Sequence, residues 1–173
     1  MKKLSLFLVA LFAFVATPLA AQSKGIATSA DPRATAAGAE ILAKGGSASD
    51  AAMAMMLALT VVEPQSSGIG GGGFLVHYDA KGATISTING RETAPAAATP
   101  QRFTDAEGKP LPFLQAFPGG KSVGVPGNIS LMAEAHRKWG KLKWAEIFKP
   151  AIRLADKGFV VNQTLDSRLD MIQ

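Results

Sequence analysis

The chain has 173 residues, 47% hydrophobic and 18% charged, with a formal net charge of +5, a length that supports one domain with a sizeable core. It has no cysteine, which excludes disulfides, thiolate metal sites and a cysteine nucleophile. Its basic residues are scattered rather than interleaved with aromatics, which argues against nucleic-acid binding.

Met1-Lys-Lys precedes an apolar run from Leu4 to Leu19, and the small residues Ala20-Ala21 follow. A positive start, an apolar stretch and small residues define a secretory signal peptide over residues 1–21. The run is short for a membrane span. The expectation is a mature domain over residues 22–173, periplasmic or secreted, with no membrane anchor.

Gly25 to Ser29 reads as a short strand. Asp31-Pro32 then opens a helix, with Asp as N-cap and Pro at the first helical position. It runs to Lys44 and stops at Gly45-Gly46. Ser47 starts a second helix, with Asp50 three residues on in a capping-box arrangement. Ala51 to Val62 is nearly all apolar and contains Met53, Met55 and Met56. A helix apolar on every side is buried, and its methionines fill a core more readily than they form a cofactor box.

The most informative stretch runs from Ser66 to Pro95. Gly70 to Gly73 are four consecutive glycines. They allow a phosphate cradle or a tight helix-to-strand passage under close packing. No Lys-Ser/Thr pair follows and a strand, not a helix, comes next, which favours the passage. Phe74 to Tyr78 and Thr84 to Ile88 then form a β-hairpin around Ala80-Lys-Gly. Phe74, Val76 and Tyr78 make one face of the first strand fully apolar. Asn89-Gly-Arg-Glu-Thr ends the hairpin and places Arg91 on a loop held by rigid strands. The pattern alone favours a structural ion pair for Arg91 over a binding role.

Residues 96–120 are loop-rich, with a short helix near Pro100 to Thr104 and a turn at Glu107-Gly108-Lys109. Ser122 to Gly127 reads as a short strand ending in a Pro-Gly turn. Asn128 caps a helix to Trp139. Trp144 to Lys149 is a helical turn, and Pro150 starts a separate helix to Lys157. Phe159 to Val161 is extended, and Asn162 caps a last helix that is still running at Gln173. His77 and His136 sit in strand and helix patterns without metal-ligand spacing, so both read as ordinary packed or surface residues.

Six segments together resemble the N-terminal part of γ-glutamyltranspeptidases. They are Ala36 to Gly46, Ser49 to Met53, Val62 to Gly73, Arg91-Glu-Thr-Ala-Pro95, Ser122 to Gly127 and Pro150 to Phe159. They follow the family order and span nearly everything after residue 21. Ser47 departs from the family's usual Asn, and Asn89-Gly90 stands where an acidic residue is common.

The resemblance implies an α+β fold of the N-terminal-nucleophile hydrolase type, a four-layer αββα sandwich incomplete in this chain. It implies a precursor that cleaves itself to free an N-terminal threonine, the nucleophile for γ-glutamyl transfer. That threonine and the other catalytic residues belong to the small subunit, so none is expected here. Arg91 is the one residue carried over, as the group that grips the α-carboxylate of the γ-glutamyl donor. Expected partners are glutathione and other γ-glutamyl donors, acceptor amino acids, peptides or water, the rest of the large subunit and the small subunit. No cofactor or metal is expected. Two other readings remain: a β-lactam side-chain acylase of the same family, and a non-catalytic periplasmic domain that binds amino acids.

Overall fold

Asp31 sets the start of the first helix in the computed structural model, which describes residues 25–170. Its carboxylate is almost fully buried. It accepts hydrogen bonds from the backbone N–H of Arg33 at 2.8 Å, from Arg33 Nε at 2.8 Å and from Arg33 Nη2 at 2.6 Å. Helix α1 (Pro32–Ala43) follows, with Pro32 at its first position as expected. The signal peptide and the end of the last helix lie outside the described residues.

Helix α2 (Ala48–Val62) begins with the expected capping box. Ser47 Oγ accepts from the Asp50 N–H at 3.0 Å, and Asp50 Oδ2 accepts from the Ser47 N–H at 2.9 Å. The same oxygen accepts from the backbone N–H groups of Lys141 and Leu142, at 2.9 and 3.2 Å. One buried carboxylate therefore ties the start of α2 to a turn some ninety residues away. The helix buries Met53, Ala54, Leu57, Ala58 and Val62, while Met55, Met56, Leu59 and Val61 remain half-buried. Met53 and Met56 pack in the core as expected, and Met55 lies over Gly38 of α1.

Strands β1 (Gly73–Asp79) and β2 (Thr84–Gly90) pair antiparallel, with Phe74 opposite Asn89, Val76 opposite Thr87 and Tyr78 opposite Ile85. The turn between them has four residues, and Ala83 takes a positive φ of 49° there. Leu75 and Ile88 face inward and join the core. His77 stacks on Trp139, with ring centroids 4.1 Å apart. The apolar face of Phe74, Val76 and Tyr78 is exposed, at 61–71%, together with Ile85 at 71%. The helices cover only the opposite face, so alternation correctly finds two faces but not which one is buried in this chain.

Helix α3 (Phe113–Ala116) is a single turn inside the loop region, flanked by 3₁₀ turns at Pro100–Phe103 and Gly120–Ser122. Helix α4 (Asn128–Trp139) packs on both strands and on α2. Helix α5 (Trp144–Lys157) packs on α2 and α1, and α6 (Gln163–Asp170) ends the description. The main core gathers Ile41, Met53, Leu57, Leu131, Met132 and Ile147 from α1, α2, α4 and α5. A smaller contact of Ala34, Ala37 and Ala58 lets α1 and α2 approach closely.

Four expectations are corrected. Gly25 to Ser29 is irregular, with no strand among the described residues to pair with it. Ser122 to Gly127 makes only one bridge, Val125 with Thr93, and its start is a 3₁₀ turn. Gly127, not Asn128, is the N-cap of α4; the Asn128 side chain donates to the Gly68 carbonyl at 2.7 Å instead. Trp144 to Lys157 is one helix with Pro150 inside it. An interior proline costs roughly 3 kcal/mol, but Ile147, Pro150 and Ala151 form one continuous buried stripe that holds the helix through it.

Asn162 joins three helix ends. Its Oδ1 accepts from the Leu165 N–H at 2.8 Å, capping α6 as expected. Its Nδ2 donates to Asp31 Oδ2 and to Glu63 Oε1, both at 3.2 Å. Against the burial that raises it, the Arg33 guanidinium, then the Arg33 backbone N–H and last the Asn162 amide hold Asp31 down at about 2, below its ordinary 3.8. A depressed folded-state value adds stability above the unfolded value, and that stability is lost as pH falls from about 4 towards 2. The expected excess of wild type over Asp31→Asn is about 2 kcal/mol at neutral pH, vanishing near pH 2. Urea denaturation of both proteins across that range checks it; a pH-independent difference would remove Asp31 as a charged anchor.

Candidate functional site

The glycine run ends in a joint where three backbone segments touch. The Gly71 carbonyl accepts from the N–H groups of Gly127 and Asn128, at 3.0 and 3.1 Å. A Cβ on Gly127 would lie 2.1 Å from the Gly90 carbonyl oxygen, and one on Gly90 would lie 2.6 Å from Leu131 Cβ. A Cβ on Gly72 would lie 2.6 Å from the Glu92 nitrogen, from Glu92 Oε2 and from the Gly90 oxygen. These glycines are required for close approach, the passage reading of the sequence. The anion lying against them is the chain's own Glu92 carboxylate.

Arg91 follows directly on β2, where this joint fixes the strand end. Its backbone N–H donates to Asn89 Oδ1 at 3.0 Å. Its side chain is 67% exposed, and its Nε lies 3.4 Å from Glu92 Oε2. No hydrogen bond among the described residues holds its two Nη groups. The ion pair favoured by pattern alone therefore exists, but it engages only one edge of the guanidinium. The free fork suits a planar carboxylate.

Arg91 lies on a ridge between two cavities. One, of about 660 Å³, is lined by Arg91, Glu92, Thr93, Arg102, Phe103, Lys121 and Val123 among others. The other, of about 430 Å³, lies towards Ser130 and Glu134 on α4. A third cavity, of about 320 Å³, separates α1 from α5. Its two arginines are already engaged, Arg33 by Asp31 and Arg153 by Glu40. The Arg91 cavity is the better candidate for an anionic ligand.

Glu92, Arg102 and Lys121 did not stand out in the sequence. Glu92 adjoins Arg91 in the motif, but its seat on the glycines depends on the hairpin's return. Arg102 and Lys121 come from opposite ends of the loop region. His136 Nε2 donates to the Leu142 carbonyl at 2.8 Å, and its ring meets Trp144 edge-on, so both histidines are packing residues. Among the described residues no group of three or more His, Asp or Glu could hold a metal ion.

Fold and site define a mixed α and β domain that presents an exposed arginine at a hairpin end. Comparison with known proteins narrows this further. The family model for gamma-glutamyltranspeptidase matches residues 34–173. A glutathione hydrolase proenzyme of Bacillus subtilis is 46% identical over 141 residues, which is 82% of this chain and 24% of that protein. The crystal structure of Helicobacter pylori gamma-glutamyltranspeptidase superposes with a TM-score of 0.81 at 37% identity, over 86% of this chain and 42% of that one. A cephalosporin acylase from Bacillus halodurans superposes with a TM-score of 0.65 at 38% identity, over 76% of this chain and 24% of that one. The chain belongs to the γ-glutamyltranspeptidase family. It spans about a quarter of the length of the curated relative it matches.

The joint makes a contrast between two glycines. Gly127→Ala drives a Cβ into backbone that cannot yield, and overpacking of this kind costs roughly 1–3 kcal/mol. Gly70 has nothing within 4 Å of an added Cβ, so Gly70→Ala stays within about 0.5 kcal/mol of wild type. Urea midpoints of the two variants test this; equal midpoints would mean that the joint does not hold the site.

Proposed function

We propose that this chain is part of an enzyme that transfers γ-glutamyl groups from glutathione and related donors to water or to amine acceptors. On this reading the enzyme is a four-layer αββα sandwich of the N-terminal-nucleophile type. A precursor cleaves itself, and the freed threonine, which lies outside this chain, attacks the γ-glutamyl amide. The remaining large-subunit region and the small subunit are its partners, and the exposed face of Phe74, Val76, Tyr78 and Ile85 is where the missing layer packs.

The observation that carries the reading is the free guanidinium fork of Arg91 at the end of β2, within the Arg-Glu-Thr-Ala-Pro motif of the family. Arg91 grips the donor's α-carboxylate through two parallel hydrogen bonds. Glu92 Oε2 stands 3.4 Å from Nε, and neither Nη group has a hydrogen bond among the described residues. The role of Arg91 is to bind and orient; the bond-breaking step occurs elsewhere. The likeness to a cephalosporin acylase keeps a β-lactam side-chain acylase as the second reading. Acyl donors without an α-carboxylate separate the two.

In the full-length enzyme, Arg91→Ala leaves the donor carboxylate without its charged partner. Truncating one member of such a pair costs roughly 2–5 kcal/mol, so kcat/KM falls between tens and thousands of times, mostly through KM. Arg91→Lys keeps the charge but not the fork and recovers only part of the loss. Precursor cleavage survives, because it needs no glutamyl substrate. Steady-state kinetics with a γ-glutamyl anilide decide: unchanged KM and kcat in a normally processed Arg91→Ala enzyme would make Arg91 a structural residue.

We also propose export, on the pattern of Met1 to Gln22. The mature protein then begins near Gln22 and lies in the periplasm or outside the cell. N-terminal sequencing of the protein from its native host checks this, and material starting at Met1 refutes it.

A further inference from the structure

The end of α1, the turn before α5 and the outer side of α5 gather cations on one face. Lys44, which ends α1, pairs with Glu40 at 2.7 Å, and Arg153 of α5 reaches the same carboxylate. Lys149 pairs with Glu146 at 2.5 Å. Glu146 is held below its ordinary range by that hydrogen bond, against a desolvation that raises it, and then by the charges of Lys149, Lys44 and Lys143. Lys149, Arg153 and Lys157 are spaced four residues apart and so share one side of α5. Lys141 and Lys143 stand beside the end of α1. Asp50, buried beneath them, holds their turn through the Lys141 and Leu142 N–H groups, and a Cβ on Gly46 would lie 3.2 Å from Leu142 Cδ1. All six cations are exposed. Against them, α1 and α5 carry three acids, Glu40, Glu146 and Asp156. Lys141, Lys143 and Lys157 form no ion pair among the described residues. Ile152, three residues on from Lys149 and 52% exposed, adds an apolar side chain to this surface.

We propose that this face attaches the protein reversibly to the surface of an anionic phospholipid bilayer, with the unpaired Lys141, Lys143 and Lys157 carrying most of the contact. Headgroup phosphates are spread over a plane, and they match cations spread over the open side of two neighbouring helices. A single bound anion would need a pocket instead, and both arginines of the cavity between α1 and α5 are already engaged. Ile152 enters the headgroup layer among the cations. Lysines without acidic partners are costly to bury, so the face stays open when further layers pack on the hairpin. The hairpin reaches α1 and α5 only by way of α4 and then α2 in the main run of contacts, so the two surfaces do not compete. The attachment sets where the protein sits, goes beyond the γ-glutamyl reading and does not depend on it.

The test is sedimentation of the full-length protein, started at Gln22 so that the apolar run of Leu4 to Leu19 plays no part. Phosphatidylcholine vesicles with and without phosphatidylglycerol are compared at low and high salt. Wild type binds the vesicles that contain phosphatidylglycerol, ignores the neutral ones and is released by salt. Each cation near an anionic surface is worth about fivefold in partitioning. Lys141→Gln with Lys143→Gln therefore lowers partitioning roughly twenty-five-fold, and Lys141→Glu with Lys143→Glu lowers it further. Lys157→Gln, outside the turn, lowers it about fivefold and carries the test if the turn variants do not fold, which their urea midpoints report. Lys81→Gln with Lys109→Gln removes the same charge from the hairpin turn and the loop region, and changes partitioning by less than about threefold. A wild type that ignores the anionic vesicles, or binds the neutral ones as well, overturns the inference. So does an equal loss in the two pairs of glutamine variants, because net charge and not this face would then decide. Tighter binding to soluble polyphosphate than to vesicles, phosphate for phosphate, overturns it in favour of a polyanion.

Discussion

The close backbone approach among Gly71, Gly90 and Gly127 is the constraint on which the site depends. One carbonyl, that of Gly71, receives both N–H groups at the start of α4. The Gly90 carbonyl lies where any side chain on residue 127 would begin. The hairpin, the glycine run and α4 therefore meet without intervening side chains. Arg91 is the next residue along the chain, so its backbone inherits the rigidity of the joint. A glycine run elsewhere exposes its N–H groups to a bound phosphate. Here the Glu92 carboxylate lies against Gly71 and Gly72, and its Oε2 stands 3.4 Å from Arg91 Nε without a hydrogen bond. One glutamate thus links a packing requirement to the surroundings of Arg91.

The helices behind the joint are held by a few buried polar groups as well as by apolar packing. Asp50 caps α2 and also receives the two N–H groups at Lys141 and Leu142, so α2 and the α4–α5 turn are fixed together. Asn162 does the same for the ends of α1, α2 and α6. Such bonds contribute modestly when made, but a buried group left without its partner costs about 1–3 kcal/mol. Asp50 Oδ1 and Asn128 Oδ1 already lack partners. Both residues serve other contacts with their remaining atom, which shows how tightly the joint and the turn constrain them.

Local chemistry was legible in the sequence where it decides structure locally. Asp31-Pro32, Ser47 with Asp50, and Gly45-Gly46 each mark a helix boundary through bonds made within a few residues. The hairpin and the place of Arg91 follow from alternation and a turn. Errors arose where distant contacts decide. Pro150 looks like a helix start, yet the buried stripe through Ile147 and Ala151 carries α5 across it. Asn128 looks like a cap, yet its amide is drawn to Gly68, sixty residues away. Gly25 to Ser29 has strand character without a strand to pair with. Lys121 and Arg102 gave no signal, because nothing local shows that residues 102 and 121 share a cavity wall.

The exposed apolar face of the hairpin bears on how strong the Arg91 site can be. A guanidinium open to water is screened, and its pairing with a carboxylate is worth at most about 1 kcal/mol. The same pair under a low-dielectric cover interacts several times more strongly. Phe74, Val76, Tyr78 and Ile85 lie on the hairpin that ends at Arg91, on the face that no described element covers. On the proposed reading, a second layer over that face removes water from the hairpin and deepens the cavities beside Arg91. The fold of this chain sets where the arginine stands and which edge it presents. On the same proposed reading, the affinity of that edge for a carboxylate is set by the layer that covers the exposed hairpin face.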